Sequence, residues 1–135
     1  MDKAQILALA DRVEALTGPD RGVDAAIVLA ICRGATVGHY AADDDGDIVF
    51  HAAAIGIRDK STCPHFTASL DAAMTLVPEG MIARRYVAGR LVPHMWEVSR
   101  SPDNGGWIGN SDYSSANALT AASLRAMSGG EDGNV

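Results

Sequence analysis

The segment Ala116 to Met127, ANALTAASLRAM, constrains the fold more than any other stretch of the chain. Ala116, Leu119, Ala122, Leu124 and Ala126 leave a helix there apolar nearly all round, and a helix of that kind belongs inside a domain. Ser111 or Asp112 is placed to cap its start. The whole chain has 135 residues, 47% of them hydrophobic and 21% charged, which fits one globular domain whose core needs no metal or disulfide staple.

Ahead of that helix the chain reads as helices, a variable region and β-type sequence. Asp2 and Gln5 have capping-box-like spacing, and Ile6, Ala10, Val13 and Leu16 mark one face of a helix running to about Thr17. Gly18-Pro19 stops it. A second helix from Asp20 or Arg21 carries Val23, Ala26, Ile27, Ala30 and Ile31 on one stripe, with Gly34 as terminator and Cys32 as a small buried hydrophobe. Ala35 to Tyr40 and Ile48 to Ala52 read as a hairpin around the acidic turn 43–47, and Gly56 to Pro64 reads as a connecting loop.

Thr67 is the expected N-cap of a third helix in which Leu70, Ala73, Met74 and Val77 share a stripe, ended by Pro78-Glu79-Gly80. Met81 to Ala88 and Leu91 to Ser99 are separated by Gly89-Arg90, the spacing of a tight hairpin, and Trp107-Ile108 begins a short third strand. The expected fold is α+β: a small antiparallel sheet, two N-terminal helices and a buried C-terminal helix. Residues 1–127 form the domain, 35–65 are a variable hairpin or loop insertion, and 128–135 are a frayed tail.

The run Phe66 to Gly80, FTASLDAAMTLVPEG, resembles the hallmark of the phage ABA sandwich domain family, small phage and prophage proteins in which such a run precedes the sheet. Leu16 to Arg21, LTGPDR, resembles that family's helix-to-helix turn, and Ala116 to Met127 its Ala-rich closing helix. Met81 stands where the family commonly has an aromatic, and 35–65 is longer than the usual connection. The resemblance implies a helix, sheet, helix sandwich of phage or prophage origin. It implies no catalytic residues.

Charge narrows the partners. The formal charge is −6 and the sequence pI about 5.0, which lacks the basic footprint of a duplex nucleic-acid binder. The acidity is regional: residues 1–67 carry ten acidic and six basic side chains, 68–127 carry five of each, and the tail adds two acids. No apolar run is long enough to span a membrane, and the N-terminus lacks the parts of a signal peptide, so the expected location is the cytoplasm of a bacterial host.

Motifs for chemistry are weak. With Gly46 at position 6 of an EF-hand loop, Asp43 and Asp45 fall at ligand positions, but Ala41 and Ala52 stand where positions 1 and 12 need oxygen ligands. His39, His51, Cys63 and His65 show no paired zinc spacing, and Gly105 to Asn110 matches neither a Walker loop nor GxGxxG. There is no GxSxG elbow. These patterns argue for no cofactor, no metal and no enzyme. The one suggestive cluster is Arg84, Arg85 and Arg90 on the hairpin with Trp107, Asn110 and Tyr113 near the last helix, where a small phosphorylated ligand could bind.

The expected function is therefore that of a non-catalytic phage or prophage binding protein, an accessory or anti-defence factor acting through contacts with a host or phage protein. The alternatives are a sponge for a small nucleotide immune signal and an accessory protein of the phage particle. An open sheet edge leaves room for a symmetric homodimer.

Overall fold

The computed structural model describes residues 3–31, 36–39, 48–52, 57–62, 64–85, 94–101 and 105–130, with side-chain surroundings given outside 32–63 and up to Gly129. The order is α1 (Lys3–Glu14), α2 (Arg21–Ile31), β1 (Thr36–His39), β2 (Ile48–Ala52), β3 (Ile57–Thr62), α3 (Leu70–Met74), β4 (Ile82–Arg85), β5 (His94–Ser99), β6 (Trp107–Ser111) and α4 (Ser115–Gly130). The strands form two antiparallel three-stranded sheets, β1-β2-β3 and β4-β5-β6. This is an α+β fold. No helix among the described residues is long and apolar enough to cross a membrane.

Helix α4 is the organising element. It packs on β5, β6, α1 and α3. Two apolar clusters meet along it: Ala121 and Leu124 join Ile6, Leu9, Val13, Val23 and Ile27, while Leu119, Ala122 and Ala126 join Val98 and the partly buried Trp96 and Trp107. The alanines have a geometric reason. A Cβ at Gly109 on β6 would strike the backbone at Ala118 and Ala122, so helix and strand approach at a distance that only the smallest residues allow.

The structure corrects several sequence expectations. The segment 57–62 is a strand and not a connecting loop; IRDKST has no apolar alternation, and what makes it a strand is backbone pairing to β2 at the end of the sheet. The N-cap of α3 is Ser69, whose hydroxyl accepts from the Ala72 N–H at 3.2 Å, while Thr67 is wholly buried in another role. Helix α3 ends at Met74, and Thr75, Leu76 and Val77 continue by donating to carbonyls three residues back. Of the expected stripe Ala73 is buried and Val77 partly so, but Leu70 and Met74 are exposed and Leu76 is buried in their place.

Helix α2 buries Val23, Asp24, Ile27 and Val28, with Ala26 and Ala30 partly buried against the core, whereas Ile31 is exposed. Arg85 pairs with Trp96, whereas a two-residue loop at Gly89-Arg90 would pair it with His94; the shift is two residues, so every side chain keeps its face. Helix α4 is capped by Ser114, which accepts from the Asn117 N–H at 3.1 Å, and it runs to Gly130, taking Ser128 and Gly129 out of the expected tail. The Asp2 cap, Cys32, Gly34, the acidic turn 43–47, Cys63 and the Gly89-Arg90 loop lie outside the described residues.

Candidate functional site

Two of the three segments quoted for the family likeness, 16–21 and 66–80, meet in space. Asp20 starts α2 by accepting from the Val23 N–H at 3.0 Å, and its own N–H donates to the Thr67 hydroxyl at 2.9 Å. Asp24, fully buried, accepts from the Thr67 N–H and hydroxyl, both at 2.9 Å, and from the Arg21 guanidinium at 2.9 Å. Arg21 also donates to the Pro64 carbonyl at 3.1 Å. This knot is architectural: its polar groups satisfy one another.

The six residues singled out for ligand binding are not brought into one cluster. Strand alternation and register put Arg85, Trp96, Val98, Trp107 and Gly109 on the face toward α4, and Arg84, Glu97, Ile108 and Asn110 on the other. Arg84 is ion-paired to the buried Glu97 directly across from it. Trp107 is partly buried, and its ring lies against Gly129, where an added Cβ would come within 2.6 Å of it. Arg85 is exposed, Asn110 is half-buried, Tyr113 is 47% exposed and Arg90 lies outside the described residues.

Asn110 and Tyr113 do take part in a concave region, with different neighbours from those expected. Two adjoining shallow clefts of about 230 Å³ and 200 Å³ share Glu14 and Asp112. The first is completed by Ala15, Leu16, Thr17 and Tyr113, the second by Asn110 and Ser111. Ser111 shapes the rim, since its hydroxyl oxygen accepts from the N–H groups of Tyr113 at 3.0 Å and Ser114 at 3.1 Å and so turns the chain from β6 into α4.

Glu14 is held at the base of this region. Its Oε2 accepts from the Asn110 N–H at 2.7 Å and from Arg125 Nη1 at 2.6 Å, and its Oε1 from Arg125 Nη2 at 2.7 Å. Arg125 donates further to the Ile108 carbonyl and to Asp11 Oδ1, each at 2.7 Å. The bidentate hydrogen bonds to Glu14 raise the guanidinium pKa above its ordinary value, burial opposes this, and Asp11 adds to the rise. Arg125 is therefore a fixed cation, paired with Glu14 and with Asp11, whose side chain is 75% exposed, and the exposed Asp112 lines both clefts.

Sequence reasoning missed Glu14 and Arg125. One signal was present: a carboxylate in the last turn of a helix is unfavourable against the helix dipole and calls for a cation nearby. Among the described residues no three His, Cys, Asp or Glu side chains are grouped to hold a metal ion. The arrangement is an aromatic-edged depression in which Asp112 and Tyr113 are exposed and Glu14 is engaged by Arg125. No family model, no curated protein and no solved structure matches this chain.

Proposed function

We propose that this is a non-catalytic binding protein that docks on a basic protein surface through the clefts at the junction of α1, β6 and α4. The observation that carries the reading is the grouping of Asp112 and the exposed Tyr113 around a depression floored by Glu14, with Asp11 on the same helix as Glu14. An arginine or lysine side chain entering there gains a carboxylate partner and an aromatic face together. The net charge of −6 supports attraction to such a surface over longer range.

The biological setting proposed with it is that of a phage or prophage accessory factor in the bacterial cytoplasm, acting on a host or phage protein, with host defence components as the first candidates. Its support is the likeness of residues 16–21, 66–80 and 116–127 to the phage ABA sandwich family. The nucleotide-sponge alternative draws no comparable support from the geometry, because Arg84 is tied to Glu97 and Trp107 packs against α4.

The test is titration with a fluorescent hexa-arginine peptide, with hexa-glutamate as control, at low and high salt. Binding of hexa-arginine should be salt-sensitive and weakened several-fold by both Asp112→Asn and Tyr113→Ala. Binding indifferent to both substitutions, or no binding, overturns the reading.

A further inference from the structure

Strand β6 is an edge of its sheet, and an edge strand presents outward N–H and C=O groups that a further strand could use. Here the outward groups at Ile108 and Asn110 are occupied by side chains: the Ile108 carbonyl accepts from Arg125 Nη1, and the Asn110 N–H donates to Glu14 Oε2. The two side chains are joined to each other at 2.6 Å. In a parallel ladder one residue of the incoming strand donates to the carbonyl of residue j−1 and accepts from the N–H of residue j+1. With Gly109 as residue j, the Glu14–Arg125 pair supplies that donor and that acceptor from one compact unit.

We propose that β6 is an autoinhibited strand-addition edge, at which the Glu14–Arg125 pair is displaced by an extended, basic segment of the partner protein pairing in parallel with β6. The inference rests on the binding role proposed above and names the form of the bound segment. Helix α1 packs chiefly on α4 and touches β6 far less, so the guard on this edge is largely the side-chain pair and not the helix body. The clefts lined by Asn110, Ser111 and Asp112 leave room beside the strand's C-terminal end. The charge of the segment follows from its surroundings: displacing the pair leaves Asp11, Glu14 and Asp112 beside the new strand together with Arg125. Alternation along an extended chain sends every second side chain toward the same side, so basic residues at alternate positions meet those acids.

The experiment uses the whole chain and an acetylated, amidated peptide of three Lys-Val repeats, with a Glu-Val peptide as control, followed by backbone amide NMR and hydrogen exchange. The Lys-Val peptide should shift and protect the Asn110 amide, and Arg125→Met, which loosens the guard, should tighten its binding about tenfold by populating the open edge. Arg125→Lys is the second variant should Arg125→Met not fold; it keeps the charge but not the two-pronged hold on Glu14 and the Ile108 carbonyl, and it should act in the same direction more weakly. If the peptide moves Tyr113 and Asp112 but leaves Asn110 unaltered in every variant, strand addition is overturned while the cleft reading stands. If the peptide moves none of the three, both fall.

Discussion

Thr67 donates both its backbone N–H and its hydroxyl to one oxygen of Asp24, a residue 43 positions earlier in the chain. The other carboxylate oxygen takes the Arg21 guanidinium. This places the start of α2 against the segment that leads into α3, and Thr120 of α4 adds a further tie by donating to the Phe66 carbonyl at 3.2 Å. The first turn of α2 and the segment 64–67 are thereby joined by side-chain hydrogen bonds.

Thr67→Val keeps the shape and removes the hydroxyl, leaving a buried carboxylate short of one donor and the Asp20 N–H without its acceptor. Stability should fall by about 2 kcal/mol, read as a lower urea midpoint at unchanged slope. Thr67→Ser retains the hydroxyl and should cost less than half as much. A larger loss for Thr67→Ser than for Thr67→Val would show that the methyl group, and not the hydrogen bonds, matters at this position.

The close approach of β6 and α4 gives a sharper contrast. A methyl group at Gly109 meets helix backbone, which cannot swing aside as a side chain could, so Gly109→Ala should destabilise by about 3 kcal/mol, the upper end of the overpacking range. Gly105 has open space around its would-be Cβ, and Gly105→Ala should change stability by less than about 0.5 kcal/mol. Thermal unfolding of the two variants side by side checks the pair.

Much of this fold was legible because its signals are local. Helix α4 announces itself through apolar residues on every side, and α1 through the period of Ile6, Ala10 and Val13. The third strand of the first sheet was not legible, because an edge strand of polar residues carries no hydrophobic alternation. Asp24 was missed as a core residue for a related reason: periodicity counts apolar side chains, and an aspartate made neutral to burial by three donors looks like surface until its partners are known. In the candidate site, Asn110 and Tyr113 could be picked out from their own segment. Glu14 could not, since its hydrogen bond to Asn110 spans 96 positions and no spacing rule reaches so far.

The three-way arrangement of Asp11, Glu14 and Arg125 predicts unequal contributions. Glu14 is well covered and accepts from both Arg125 and the Asn110 N–H, so Glu14→Gln should cost about 2 kcal/mol. Asp11 is mostly in water, and after allowance for solvent screening Asp11→Asn should cost less than about 0.5 kcal/mol. The pH behaviour follows from the direction of the Arg125 shift. Its folded-state pKa is raised, so the associated stability is fully present below the ordinary arginine value and is lost only as pH climbs through the raised one. The cost of Arg125→Met should therefore be the same at pH 6.5 and pH 9, about 2 kcal/mol at each. Denaturant titrations at those two values check it; a cost that fell toward pH 9 would assign the stabilisation to another group.

The start of α4 separates two serines that sequence spacing treats alike. Ser114 is the cap that holds the Asn117 N–H, whereas Ser111 sits at the end of β6 and holds the N–H groups of Tyr113 and Ser114. Ser114→Ala should cost about 1 kcal/mol, and the Asn117 amide should exchange with solvent faster as the first turn frays. Ser111→Ala releases two donors in the turn and should speed exchange at Tyr113 and Ser114 while leaving Asn117 protected. Because Tyr113 stands on that turn, Ser111→Ala should also weaken hexa-arginine binding, an effect that Ser114→Ala should not share. Exchange profiles that coincide for the two variants would mean that the turn and the helix open as one unit and that the rim of the cleft is not held independently by Ser111.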